Sequence, residues 1–276
     1  MQIYYSFRGN ISDAIDTLNY EINKFLHLAQ LHCLTANASK TQVITFPGGK
    51  YHNTLDTSIK ILINKDLVNP TSTIKNLGMI MDNKLQFNKH INSLIKRSYL
   101  MLKQLYGSSY ILDANTKLRI CQSLILSIFN YGDIIYGPCF TSNYKRRIQV
   151  AQNSCVRFVT GIKKGQHISA ARRDIGWLDM ESNRLLHSLC LYHKIIINGT
   201  PSYLRNRVKY RLEMHNVNIR HSKTLSIPKH NKQLFKRSFS YQIAFCYNKV
   251  SNVQKSKLLK QFRILIKQDL FNKSLI

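Results

Sequence analysis

The sequence predicts an α+β fold: a small unit of mixed strands with one helix, then a mainly α-helical region, then a basic helical tail. Three observations support this. Apolar residues recur at alternating spacings of four and three over Ile11–Ala29, short β-rich runs bounded by turn residues follow up to Asp82, and beyond Asp82 the helical period returns with brief polar breaks. The boundaries fall at 1–82, 83–200 and 201–276.

The elements follow in order. The opening "MQIYYSFRGN" has strand composition, and Ile11, Ile15, Leu18, Ile22, Phe25 and Ala29 then form the stripe of an amphipathic helix, with Asn10 and Asp13 placed to cap its start. "TQVITF" reads as a strand that stops at "PGG". "IKILI" and "IKNLGMIM" read as two more strand-like runs, separated by "NKDLVNPTST". Helical periodicity then covers 88–106, 114–136, 141–160 and 179–197, with breaks at "YGSSYILDAN", "GPCFTSN" and "GIKKGQ". The tail from "NGTPSYL" onward carries "MHNVNIRHSKTLSIPKHNK" and two further helical segments, 234–247 and 255–271.

Charge narrows the function classes. Lys and Arg number 41 against 13 Asp and Glu, a formal charge of +28 over 276 residues, which favours polyanionic partners over neutral or basic ones. From Arg205 to Ile276 there are 17 Lys or Arg and only Glu213 and Asp269, so the tail holds about half of the excess. A competing explanation is compositional, since AT-rich coding sequence supplies Lys and Asn cheaply. The six cysteines are scattered among apolar residues and read as thiols in a reducing compartment rather than a disulfide framework. The longest apolar run, "ICQSLILSIFNYG", is too short and too polar to span a bilayer, so the expectation is a soluble intracellular protein, nuclear or cytoplasmic.

Residues that carry chemistry are few. Two-metal phosphoryl or nucleotidyl transfer needs carboxylates that converge on one face. Asp13 and Asp16 lie in the first turns of a helix, where they complement its dipole, and Asp82 follows a strand, where a lone carboxylate usually forms a turn. Asp133, Asp174, Asp179 and Glu181 have no partner set in the sequence. His187, Cys190 and His193 form H-x-x-C-x-x-H, but steps of three drift round a helix and no Cys-x-x-Cys pair accompanies them. His215, His221 and His230 occupy a basic loop. No Walker loop, dinucleotide fingerprint or serine elbow is present, and no metal-binding set is nominated. Lys40, between a helix and a strand, could reach into a cleft and donate a proton to a leaving phosphate, or simply be solvated.

The order of motifs is more informative than any of them singly. "FRGNISDAIDTLNYEINKFLHLAQLHCLTANASKTQVITF" resembles the segment that follows the catalytic turn in reverse transcriptases of non-LTR retrotransposons, especially the jockey-like group. "TANASKT" is similar to the family's L-N-x-x-K-T, with Thr35-Ala36 standing before Asn37 where the family has Leu. "IKNLGMIMDNKLQFNKHI" is similar to Y-L-G-x-x-x-D-x-x-L-x-W-x-x-H-I: Leu77, Gly78, Asp82, Leu85, His90 and Ile91 match, while Asn76 and Phe87 replace the usual aromatic residues. "LILSIFNYGDIIYGPC", "IQVAQNSCVRFVTG", "IGWLDMESNRLLH" and "PSYL" follow the family's thumb-like region in order. "NIRHSKTLSIP" and "KRSFSYQIAFCYNKV" resemble its basic tail, with Cys246-Tyr247-Asn248-Lys249-Val250 in place of Trp-Asn-x-Leu-Pro.

The resemblance implies that 1–82 is the end of a palm, that Leu77–Asp82 is its primer-supporting hairpin, and that 83–200 is thumb and connection. It makes Lys40 the lysine of the fourth palm motif. It places the two aspartates of the catalytic turn just before Met1 and a third farther upstream, so the chain is expected to be enzyme-derived and inactive alone, with an exposed strand edge. No cofactor is expected for it, and Mg²⁺ is expected for the full-length enzyme. The implied partner is RNA or an RNA/DNA template–primer duplex. Its nominated contacts are Leu77, Gly78, Lys96, Arg97, Lys145, Arg146, Arg147, Lys163, Lys164, Lys223, Lys229, Lys232, Lys236 and Arg237. Two other readings stay open: a non-catalytic nucleic-acid-binding module derived from the thumb and tail, and a piece of a longer active element.

Overall fold

The computed structural model describes residues 2–7, 9–46, 59–64, 66–214, 224–230, 233–236 and 238–272. These form two compact units, Met1–His90 and Ile91–Ile276. Mainly helical secondary structure with two small two-stranded antiparallel sheets bears out the α+β expectation.

In the first unit, helix α1 (Ile11–Leu31) starts as its sequence predicts, with the Asn10 side chain accepting from the Ser12 N–H. The opening residues differ from expectation. Residues 2–7 are not a strand, and Ile3, Tyr4 and Tyr5 are exposed: β composition makes a strand only where a ladder partner exists, and no described strand runs beside them. "TQVITF" likewise contributes a single parallel bridge, Val43 to Pro70. Strands β1 (Ile61–Ile63) and β2 (Asp66–Val68) form a hairpin in register Ile61↔Val68, so β2 lies inside the run expected to be a separator. Ile61, Ile63 and Val68 pack with Ile22 of α1 into a small core, while the cross-strand pair Leu62 and Leu67 faces outward, each about half exposed. Asn19 of α1 clasps the edge of β1, donating to the Lys60 carbonyl at 3.2 Å and accepting from the Leu62 N–H at 3.2 Å.

"IKNLGMIM" is a hairpin rather than one strand. Strands β3 (Thr73–Asn76) and β4 (Met79–Asp82) pair antiparallel around a two-residue loop, Leu77-Gly78. Both loop residues have positive φ, +46° and +83°, the signature of a tight turn that matches the strand twist.

The second unit is a helical assembly. Helix α2 (Asn88–Gly107) buries Ile91, Leu94, Ile95, Ser98 and Leu102 along one stripe. The predicted helix over 114–136 is broken into α3 (Ala114–Ile120), a π-helical turn over Cys121–Leu126, α4 (Ser127–Asn130) and α5 (Asp133–Tyr136), the break falling where Gly132 adopts a left-handed φ of +69°. Helix α6 (Ser142–Thr160) is followed by the short α7 (Ser169–Asp174), and α8 (Met180–Asn198) by α9 (Ser202–Arg205). The tail forms α10 (Gln233–Lys236), α11 (Phe239–Asn248), α12 (Asn252–Lys255) and α13 (Leu259–Phe271), so each of its two expected helices is in fact a pair.

The main core of this unit draws on both sides of residue 200. Leu186, Leu189 and Ile195 of α8 pack with Ile243 and Tyr247 of α11 and with Phe262 and Ile266 of α13. His193 sits at the centre, fully buried, its Nδ1 2.8 Å from the Tyr247 hydroxyl and its Nε2 2.9 Å from the Lys257 carbonyl, with its ring stacked on Phe262 at 3.8 Å. No described helix is long and apolar enough to cross a membrane.

Candidate functional site

The motif around Lys40 is built by short-range hydrogen bonds. Asn37 accepts from the Lys40 N–H through its side chain at 3.2 Å, Ser39 donates to the same oxygen at 2.6 Å, and Thr41 donates its hydroxyl to the Asn37 carbonyl at 2.9 Å. Together these wind Ala38–Lys40 into one 3₁₀ turn, which accounts for the Asn-x-x-Lys-Thr spacing and leaves the Lys40 side chain exposed. Beyond it, Gln42 accepts from the Lys75 N–H of β3 at 3.4 Å, and the Val43 carbonyl accepts from the Thr71 N–H at 2.8 Å. The Lys40 segment and the β3–β4 hairpin are therefore parts of one framework.

Leu77 stands at the tip of that hairpin, 74% exposed, with Gly78 exposed beside it. A bulky L-residue such as leucine at positive φ brings its β-carbon close to the following carbonyl, at a cost of roughly 1–2 kcal/mol. The base of the hairpin is fixed by Asp82, whose carboxylate accepts from the N–H groups of Lys84, Gln86 and Phe87 at 3.0, 3.0 and 2.6 Å. Asp82 is thus a turn former.

Three of the other carboxylates that could have held metals are engaged elsewhere. Asp133, buried, lies 2.7 Å from Nδ1 of His187. Asp179 caps α8 through the N–H groups of Glu181 and Ser182, and Asp13 accepts from the Asn10 side chain. Among the described residues no group of three His, Cys, Asp or Glu could hold a metal ion, so the residues present do not fit a two-metal centre. His187 and His193 of the H-x-x-C-x-x-H run have separate partners, Asp133 for the first and Tyr247 for the second. Cys121 and Cys155 are fully buried, Cys33 is exposed, and Cys139, Cys190 and Cys246 lie between. All six are free thiols.

The nominated cations of the helical unit divide into groups. Lys96 and Arg97 are exposed on α2. Arg147, on α6, donates to Asn92 Oδ1 of α2 at 2.8 Å and its guanidinium lies over the Tyr144 ring, so the two helices are joined by a charge-bearing seam one turn from Lys96. Lys145 pairs with Glu181, and Arg146 is exposed beside it. Lys163 and Lys164 are exposed just beyond the far end of the 19-residue α6, which rises roughly 22 Å from Lys145 to its last residue, Thr160. Lys229 is exposed and Lys236 half-buried. Lys223, Lys232 and Arg237 lie outside the described residues.

One arrangement was missed by sequence reasoning. Lys145 and Arg146 of α6, Arg172 and Arg173 of α7, and Arg184 of α8 line a cavity of about 410 Å³, together with Trp177. The signal "ARRDIGW" was available, but the cavity needs four helices, α6, α7, α8 and α13, to converge on it. Two devices set its geometry. Gln152, buried in α6, donates to the Leu178 carbonyl at 2.8 Å, and Gln149 accepts from the Met180 N–H at 2.9 Å, which fixes the strand of chain leading into α8. Gly137 leaves room for Arg184, whose Cδ and Nε would stand 2.1 and 2.2 Å from a β-carbon there, and whose guanidinium lies over the Phe140 ring. Burial lowers the Arg184 pKa, while Asp133 opposes the shift.

Comparison with known proteins places these features beside a consistent set of relatives. Over 166 residues, 59% of this chain, the sequence is 26% identical to a probable RNA-directed DNA polymerase from transposon X-element of Drosophila melanogaster. It is 25% identical over 154 residues, 55% of the chain, to the RNA-directed DNA polymerase from mobile element jockey of Drosophila funebris. It is also 26% identical over 125 residues, 44% of the chain, to a probable RNA-directed DNA polymerase from transposon BS of Drosophila melanogaster. The matched regions are 18%, 16% and 14% of those proteins, so the chain spans less than a fifth of the length of the curated relatives it matches. No family model matches the chain. No solved structure matches it.

Proposed function

We propose, from its similarity to RNA-directed DNA polymerases of transposons, that this chain is the reverse-transcriptase segment downstream of the metal-binding turn. Its role in this reading is to hold a template–primer duplex by phosphate contacts. The observation that carries the proposal is the joint one: relatives that are all polymerases on nucleic acid, and a strongly cationic chain whose Lys96, Arg97, Arg146, Lys163, Lys164 and Lys229 are exposed. The exposed Leu77-Gly78 tip supports the primer from the palm side, and the helical unit acts as the thumb. Lys40 is the proton donor of the complete enzyme, and Mg²⁺ in that enzyme is held by aspartates other than those described here.

Two measurements test this. A mobility shift with an RNA–DNA duplex is expected to show binding that weakens steeply with salt, because each phosphate contact displaces condensed counterion. Neutralising Lys223, Lys229, Lys232, Lys236 and Arg237 together is expected to weaken it further. Absence of binding at low salt would sink the proposal. Primer extension on an RNA template with Mg²⁺ is expected to give no product above a vector-only preparation, since among the described residues no group of three His, Cys, Asp or Glu could hold a metal ion. Product above that background would overturn the assignment of catalysis to residues outside this sequence.

A further inference from the structure

The cavity between α6, α7, the start of α8 and the end of α13 has the chemistry of an anion site that none of the relatives' names assigns. Five cationic side chains line it against two carboxylates, and both carboxylates are already engaged. Glu181 pairs with Lys145, and Asp179 accepts from Ser182 and from the N–H groups that begin α8. Arg146, Arg172 and Arg173 form no ion pair with a described residue. The Asp179 cap also means that the N-terminus of α8 is satisfied internally, so the attraction for an anion comes from the side chains.

The second observation is an unmet donor. Trp177 is 5% exposed, lines the cavity, and its indole Nε1–H has no hydrogen-bond partner. Nε of Arg172 and Nε of Arg184 are buried and unpartnered as well. Buried donors are almost always paired in folded proteins, and leaving one unmade costs about 1–3 kcal/mol. All three atoms are closed off from solvent, Arg184 Nε against Gly137, so the call for an acceptor-rich ligand comes from the guanidinium groups of Arg146, Arg172 and Arg173, which line the cavity without an ion pair to a described residue. A phosphate supplies three or four oxygens and the charge the arginines lack, and planar guanidinium groups grip it at two points.

Size extends the argument. A cavity of about 410 Å³ exceeds what a lone phosphate fills and falls in the range of sites that take small organic ligands. Its walls include the apolar Leu178, Met180 and Phe271 beside Trp177, against which a planar base can lie. We propose that this cavity binds a nucleotide, with its phosphate on Arg146, Arg172 and Arg173 and its base against the apolar wall. The choice of a nucleotide among phosphate esters rests on the nucleic-acid reading given above, whereas the need for an anion does not.

Trp177 is the sole tryptophan of the chain, so its emission reports on this cavity alone. The experiment titrates the full chain with AMP, inorganic phosphate and adenosine in separate arms and follows Trp emission. AMP is expected to give a saturable change, inorganic phosphate to compete with it, and adenosine to give no saturable change at the same concentrations. The variant Arg146→Gln with Arg173→Gln alters two exposed side chains and is expected to weaken AMP at least tenfold while its circular dichroism and melting temperature stay unchanged. No saturable response to AMP, a response to adenosine equal to that of AMP, or unchanged affinity in the double variant would each overturn the proposal. A mobility shift with RNA–DNA duplex on the same preparation separates the two ideas. Duplex binding without an AMP response removes the pocket and leaves the proposed function standing, and an AMP response without duplex binding does the reverse.

Discussion

Replacing Gln152 with Met removes one buried amide while keeping the side chain's length and most of its volume. In the native protein Gln152 is 2% exposed, donates to the Leu178 carbonyl at 2.8 Å and accepts from Gln149 Nε2 at 2.8 Å. Leu178 is itself buried, so in the variant its carbonyl has no donor and no water to replace it. A buried polar group left unmade costs about 1–3 kcal/mol. For a unit of this size each kcal/mol shifts the melting temperature by about 2–4 °C, so the expected fall is about 2–12 °C. The assay is thermal unfolding followed by far-ultraviolet circular dichroism and by emission of Trp177, the residue next to Leu178. A melting temperature within about 1 °C of the parent, together with unchanged Trp emission, would refute the claim that this hydrogen bond holds the entry to α8 in place.

Three further outcomes follow from other sites. Leu77→Asn replaces a leucine at φ +46° with a residue that tolerates that region, and is expected to raise the urea midpoint by an amount equivalent to about 1 kcal/mol; a lowered midpoint would show that Leu77 is not strained there. Burial holds the His193 pKa below the ordinary histidine value, so the native state keeps it neutral while the unfolded state protonates it. Its contribution is therefore present above about pH 6.5 and is lost as pH falls toward the native pKa, and the difference in urea midpoint between the parent and His193→Gln should shrink from pH 8 to pH 5. A difference independent of pH would contradict this. Gly137→Ala places a methyl group on the Arg184 side chain, and is expected to destabilise by about 1–3 kcal/mol and to weaken AMP at the adjacent cavity; unchanged AMP affinity would mean that Arg184 can shift without consequence for the pocket.

What was legible in the sequence was mostly what is decided over short distances. Helix α2 was read within a residue of its ends because its buried stripe, Ile91 to Leu102, keeps the helical period throughout. The Lys40 turn was legible as a motif because its hydrogen bonds span four residues or fewer. Strand β2 was hidden because Asp66, Leu67 and Val68 are too few to show alternation, and they become a strand only by pairing with β1. The π-helical turn at Cys121–Leu126 leaves no mark in periodicity, since its apolar residues suit an ordinary helix equally well. The opening residues erred the other way, as β composition without a neighbour to pair with. The cavity was least legible of all, because Lys145, Arg172 and Arg184 belong to three helices and only their packing makes them neighbours.

The core shared by α8, α11 and α13 bears on how the tail's charge would be used. Lys249 lies over the Phe245 ring and Lys255 over the Tyr247 ring, so these cations are held on packed helices. A disordered basic arm gives up chain entropy when it binds a polyanion, and its association shows the large negative heat-capacity change of coupled folding. For Lys249 and Lys255 that ordering is in place before any ligand arrives. Where these two cations make the contact, calorimetry of duplex binding should find a favourable entropy from released counterions and only a small heat-capacity change, the thermodynamic signature of a surface that is preformed.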